Sequence, residues 1–254
     1  MAVPLLSLLG LATTALAATT SSSALLHNPL PTAIPVSTQT HFNAPSCTSA
    51  AGSEQSLTVN YNFETVERFA QTSPLTPIDE YNLLNFMNIN AVNTDPDFDG
   101  NHLGLAPHTY PNAATFSFGT ALLNTLTGST PVITANYTES TIKSFTPASW
   151  WYGCVLPSPY TAGSLPSNCT ITAQGYDYSG AKVGAAMRQF VFRTNGSNIQ
   201  DQNFGAFGDG FAGIYSLAFS VDNAVSAALV DNFVATITQD SCAPYYTGSY
   251  EDGT

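Results

Sequence analysis

Two carboxylates far apart in the chain, Glu64 and Asp231, are the acidic residues whose surroundings point to chemistry. Glu64 follows the alternating apolar residues Leu57, Val59, Tyr61 and Phe63, and Asp231 lies inside the apolar stretch AALVDNFVATI. A carboxylate among apolar neighbours is costly to desolvate unless it meets a cation, a cluster of donors or water. If the two stretches are neighbouring strands, Glu64 and Asp231 together with backbone carbonyls make a candidate site for calcium in a structural role. The alternative is that Asp231 and Asn232 cap backbone groups at a bulge. A second acidic set, Asp95, Asp97 and Asp99 in DPDFDG, has the spacing that opens a calcium loop, with Gly100 at the sharp turn. That pattern then breaks, because Ala106 stands where a bidentate glutamate belongs and Pro96 interrupts the run. A solvated Asx-rich turn is the competing reading.

Aromatic residues offer a different chemistry, the stacking of ring faces on the apolar faces of sugars. Trp150, Trp151 and Tyr152 are consecutive, and Tyr160 lies nearby across a loop bounded by Cys154 and Cys169. Adjacent residues on a strand point to opposite faces, so at least one of the two tryptophans is expected in the core. Trp151, Tyr152 and Tyr160 form the first candidate platform, and Tyr176 with Tyr178, two apart and so on one face, the second. Packing beneath a loop is the alternative for all of them. Catalytic signatures are absent: there is no GxSxG elbow and no HExxH, and the acidic residues offer no spacing that singles out a glycosidase pair. The expectation is a binding protein, not an enzyme; a glycan-active hydrolase is the rival that a cleft with paired carboxylates would favour.

Composition bounds the setting in which such a site would work. Formal net charge is −12 with only 5 Lys and Arg in 254 residues, which argues against nucleic acid as a partner. Residues 1–17 are apolar and end Ala15-Leu16-Ala17, the small-x-small pattern of a cleaved signal peptide. No later segment is long and apolar enough to read as a membrane helix, so the expected location is outside the cell or in a cell wall, with no membrane contact after cleavage. The 4 cysteines then read as two disulfides, Cys154 with Cys169 around a Pro/Ser/Gly loop and Cys47 with Cys242 across the ends. Asn136, Asn168 and Asn195 begin N-glycosylation tripeptides.

These residues must be positioned by strands, because helical periodicity is weak throughout. Residues 18–55 are Ser/Thr/Pro-rich and read as a linker; residues 243–254 read as a polar tail. Between them, residues 56–242 hold alternating stretches at 57–64, 115–119 and 213–222, with further strand candidates at 83–89, 131–135 and 227–237. Residues 144–155 read as a turn leading to a strand, residues 74–79 (PLTPID) as a loop, and residues 195–213 as a long glycine-rich connection. TITAQGYDY, Ser179-Gly180 and AKVGAAMRQFVFR read as a hairpin. Short strands separated by Gly, Pro and Asn, without alternating helices, specify an all-β fold, a two-sheet β-sandwich of jelly-roll type.

A resemblance sharpens this reading. The first strand ending in an acid, the GYD..G hairpin at Gly175-Tyr176-Asp177 to Gly180, Phe211-Ala212-Gly213 followed by Leu217 and Phe219, and the closing VDNF of residues 230–233 are together similar to secreted microbial jelly-roll domains of the galactose-binding-like and carbohydrate-binding-module type. In overall character the chain resembles fungal secreted proteins of uncharacterised role. The resemblance implies a structural calcium between the first and last strands and a carbohydrate, such as a cell-wall polysaccharide, as partner. A secreted structural or host-interacting protein without a sugar site is the alternative.

Overall fold

The computed structural model describes residues 54–64, 76–94, 104–117, 130–156, 164–223 and 226–240 of the chain. Its strands are β1 (Glu54–Tyr61), β2 (Thr76–Tyr81), β3 (Leu84–Asn93), β4 (Gly104–Ala106), β5 (Asn112–Ser117), β6 (Val132–Thr134), β7 (Ile142–Val155), β8 (Cys169–Tyr176), β9 (Lys182–Phe192), β10 (Ile199–Asp201), β11 (Asn203–Ala206), β12 (Ser216–Val221) and β13 (Ala227–Asp240). The main sheet runs β11-β7-β13-β5-β3-β6-β12-β8-β9, with β1 added on β13 and β2 on β3. A small parallel pair, β4 with β10, stands apart from it.

The long sheet becomes two layers because it turns within β3. One edge of β3 pairs with β6 over Asn85–Met87 and then with β5 over Asn90–Asn93, while β2 covers the other edge. Between the two partners Asn88 has φ 58°, a conformation Asn tolerates better than most residues, and its Nδ2 donates to the Thr130 carbonyl at 3.1 Å. The arms β11-β7-β13-β5 and β6-β12-β8-β9 then face each other across aromatic contacts. Trp150 of β7 meets Phe190 of β9 and Phe219 of β12 at ring-centroid distances of 4.8 and 5.2 Å, and Phe116 of β5 meets Phe219 at 5.0 Å. The result is the all-β sandwich that the alternation predicts.

The first and last strands are partners, as expected: β1 runs antiparallel to β13 from Glu54 opposite Asp240 to Tyr61 opposite Phe233. The predicted hairpin is also present, its turn closed by the Asp177 carboxylate, which accepts from the Ser179 and Ala181 N–H groups at 2.9 and 3.0 Å. Cys154 and Cys169 are bonded, tying the end of β7 to the start of β8; Cys47 and Cys242 lie outside the described residues.

Two segments carry more strand than the sequence suggests. Residues 76–79 belong to β2 and not to a loop; β2 is an edge strand, where proline is tolerated. Residues 142–155 form one 14-residue strand through Pro147. Pro147 is tolerated because β11 has already left β7 at Ser149, and because the β7–β13 ladder shifts register beside it. The glycine-rich connection of residues 195–213 also contains β10 and β11.

Candidate functional site

Trp150 and Trp151 resolve by the parity of β7. Trp150 is 1% exposed in the core, and Trp151, one residue on, leaves the opposite face and is half-buried. Opposite Trp151 stand Phe204 of β11 on one side and Asp231 of β13 on the other. Directly opposed residues share a face, so Phe204, Trp151 and Asp231 form a row across the outer surface of this arm.

A short segment, residues 107–111, crosses that row. It can lie close to β7 because Leu105 of β4 occupies the space that a side chain at Gly153 would need. Its backbone is pinned at two points. The His108 N–H donates to the Gln202 Oε1 at 3.2 Å, and the buried Gln202 amide in turn donates to the Leu229 carbonyl at 3.2 Å. The Thr109 N–H donates to the Asp231 Oδ2 at 2.7 Å, and the Thr109 hydroxyl lies 2.8 Å from the Asn232 Oδ1. This places the His108 ring parallel to Trp151, with centroids 4.0 Å apart and planes 7° from each other. Phe204 meets the Trp151 ring edge-on at 5.5 Å and is 58% exposed, and Tyr110 of the same segment is exposed too. An aromatic cluster drawn from three separate segments therefore faces water.

Asp231 is fully buried beneath that segment at a bulge. Two steps along β7, from Trp151 to Ser149, match three along β13, from Asp231 to Val234, and Asn232 takes φ 45°. Its second oxygen accepts from the Asn232 N–H at 2.7 Å. Burial raises the Asp231 pKa from 3.8 to about 6, against the lowering effect of the Thr109 and Asn232 hydrogen bonds and with a smaller upward push from Glu64. A raised carboxyl pKa is one mark of a general acid. Here the carboxyl has no solvent face and its oxygens are already engaged, so its work is to position the His108 segment.

The calcium reading meets the same geometry. Glu64 comes close enough to Asp231 to influence it, but Glu64 is exposed, and the Asp231 oxygens are met by N–H groups. Among the described residues no three of His, Cys, Asp and Glu gather as a metal site would require. These residues fit the bulge-capping alternative better than a hard cation. A chelator is accordingly expected to shift the melting temperature by less than about 1 °C; a drop of several degrees would restore the cation. Asp95, Asp97 and Asp99 lie outside the described residues.

Other candidates are placed differently from the expectation. Tyr152 shares the inward face of β7 with Trp150, and its hydroxyl donates to the Val191 carbonyl at 3.1 Å, so it is not part of a platform. Tyr176 is fully buried, with its pKa pushed up to about 12 by that burial, and cannot pair with Tyr178 as a surface. Tyr178 is 56% exposed and packs edge-on against Tyr215 at 4.9 Å. Tyr160 lies outside the described residues. Of the glycosylation candidates, Asn168 and Asn195 are exposed and Asn136 is half-buried. Sequence reasoning missed Phe204, His108 and Tyr110. The spacing of Phe204 and Phe207 in NFGAFG was a weak signal for the first, and no sequence signal joined His108 to β7.

No family model matches the chain, and no curated protein does. Among solved structures it is similar to a DUF4465 family protein from Bacteroides caccae, with 12% identity and a TM-score of 0.43 over 72% of this chain and 100% of that one. It is also similar to the CBM22-1 xylan-binding domain of Paenibacillus barcinonensis Xyn10C, with 14% identity and a TM-score of 0.30 over 66% of this chain and 93% of that one. A third, the enzymatically active domain of tailspike protein 4 of bacteriophage CBA120, shares 12% identity at a TM-score of 0.31, over 66% of this chain and 21% of that one. At these scores and identities nothing about this chain's ligand or chemistry follows from them.

Proposed function

We propose that the protein is a secreted carbohydrate-binding protein that leaves its ligand unchanged, and that the ligand lies against Trp151, Phe204, His108 and Tyr110. The observation that carries the reading is the pairing of Phe204 with Trp151 across β11 and β7, which sends two aromatic rings side by side out of one sheet face. A cross-strand aromatic pair adds only a little to the stability of a sheet, whereas contiguous exposed apolar surface marks interaction sites. Aromatic rings supply apolar contact with a defined geometry to the faces of pyranose rings, with polar neighbours to orient them. The Cys154–Cys169 bond fits an oxidising compartment and supports export. One observation favours the rival, a structural role without a sugar site: His108 already covers one face of Trp151.

Titration of the purified chain with a panel of soluble glycans separates the two. In the binding reading Trp151→Ala weakens association about tenfold or more, with an unchanged far-ultraviolet circular dichroism spectrum. If the wild-type chain binds no glycan of the panel, the structural reading takes its place.

A further inference from the structure

The shape and charge of the aromatic cluster narrow its ligand, an inference that rests on the carbohydrate reading. His108 and Trp151 are parallel within 7°, whereas Phe204 stands at 66° to Trp151 with centroids 5.5 Å apart. Phe204 therefore shares no plane with the stacked His108 and Trp151 rings; the stack and Phe204 form the two walls of a corner. The surface of a crystalline polysaccharide is a plane of parallel chains, and only one wall of a corner can lie flat against it. A single glycan chain in solution can instead set a ring face on one wall and a ring edge on the other.

Charge excludes a second class. Lys143 is occupied by Glu54 and Asp240 at 3.3 and 2.7 Å. The Arg193 guanidinium donates to the Cys169 and Phe192 carbonyls, the Arg188 guanidinium to that of Phe207, and Lys182 begins β9. None of these four belongs to β11, to the His108 segment or to the part of β7 around Trp151. Asp231 lies beneath the corner and Asp201 precedes β11, in a chain of net charge −12. A polyanionic glycan would meet net repulsion there, relieved only in part by the Arg188 guanidinium at Phe207.

We infer that the Trp151–Phe204 corner takes a single, soluble, uncharged glycan chain, and neither a crystalline surface nor a uronic-acid polymer. The full chain is tested by electrophoresis through gels cast with arabinoxylan, mixed-linkage β-glucan, galactomannan or polygalacturonate, and by depletion onto microcrystalline cellulose and chitin. The expected result is retardation in at least one neutral gel, unchanged between roughly 50 and 500 mM salt, and no depletion by either solid. Phe204→Ala should weaken that retardation about tenfold, and Phe204→Tyr, which keeps the ring, should retain it. Depletion by a crystalline solid, salt-sensitive binding to polygalacturonate, or neutral binding indifferent to Phe204→Ala overturns the inference while the carbohydrate reading stands. No interaction with any of these materials removes that reading, and the inference with it.

Discussion

Trp150→Ala is expected to lower the free energy of unfolding by about 3–5 kcal/mol. Trp150 is 1% exposed, and its ring meets Tyr152, Phe190, Phe207 and Phe219 at 6.0, 4.8, 5.0 and 5.2 Å. Those contacts join β7 to both β9 and β12, so the indole holds the two layers together and does not merely fill one of them. Truncation leaves a cavity between layers whose strands are fixed by their own ladders and cannot collapse to close it. One effect works the other way. Among the described residues the buried Trp150 Nε1 has no hydrogen-bond partner, a state that costs about 1–3 kcal/mol and that the mutation relieves. Trp150→Phe keeps most of the ring and removes the orphan donor, so it should lose less than half of what alanine loses. Trp151→Ala, one position away on the outer face, should stay within about 1 kcal/mol of wild type. Urea unfolding with unchanged m-values decides among these; near-equal midpoints for Trp150→Ala and Trp151→Ala would refute the layer assignment.

That contrast marks how far the sequence could be read. The period of two in Leu57-Val59-Tyr61 located β1 and the apolar run around Asp231 located β13, whereas their register is visible only in the assembled sheet. The same rule required one tryptophan of the pair to face inward. Applied one step further it placed Tyr152 with Trp150, because residues two apart on a strand share a face; a platform of Trp151 and Tyr152 was therefore inconsistent with the rule that proposed it. The rule fails for Tyr176 and Tyr178 for another reason, since β8 ends at Tyr176 and Tyr178 lies in the turn. Pro77 hid a strand because tolerance of proline depends on which neighbour occupies each edge, and that is a property of the assembled sheet. Of the aromatic corner only Trp151 was clearly legible. Phe204 reaches Trp151 through the β11–β7 ladder, and His108 reaches it through the Gln202 and Asp231 hydrogen bonds, contacts between residues 94 and 122 positions apart.

Asp231 should make the protein's stability fall as pH rises through the mildly acidic range. Its carboxyl titrates near 3.8 in an unstructured chain and at about 6 in the fold, so the folded state holds the proton more tightly. The stabilisation this gives is complete below 3.8 and is lost as pH passes through 6, the reverse of a carboxylate held by a cation. A rise of that size corresponds to on the order of 3 kcal/mol. Asp231→Asn removes the titration, so the wild-type chain should lose about that much relative to the variant between pH 4 and 7. Unfolding midpoints for the two proteins across that range measure the difference; parallel curves would show that burial does not govern this carboxyl. Asp231→Ala is the harsher change, because it takes the acceptor from the part-buried Thr109 and Asn232 N–H groups, at up to about 1–3 kcal/mol each. The same deletion frees the segment that carries His108. A loss of glycan affinity in Asp231→Ala, at a pH where the protein remains folded, would therefore report the positioning of the ring and not contact with the ligand, since the buried carboxyl cannot reach it.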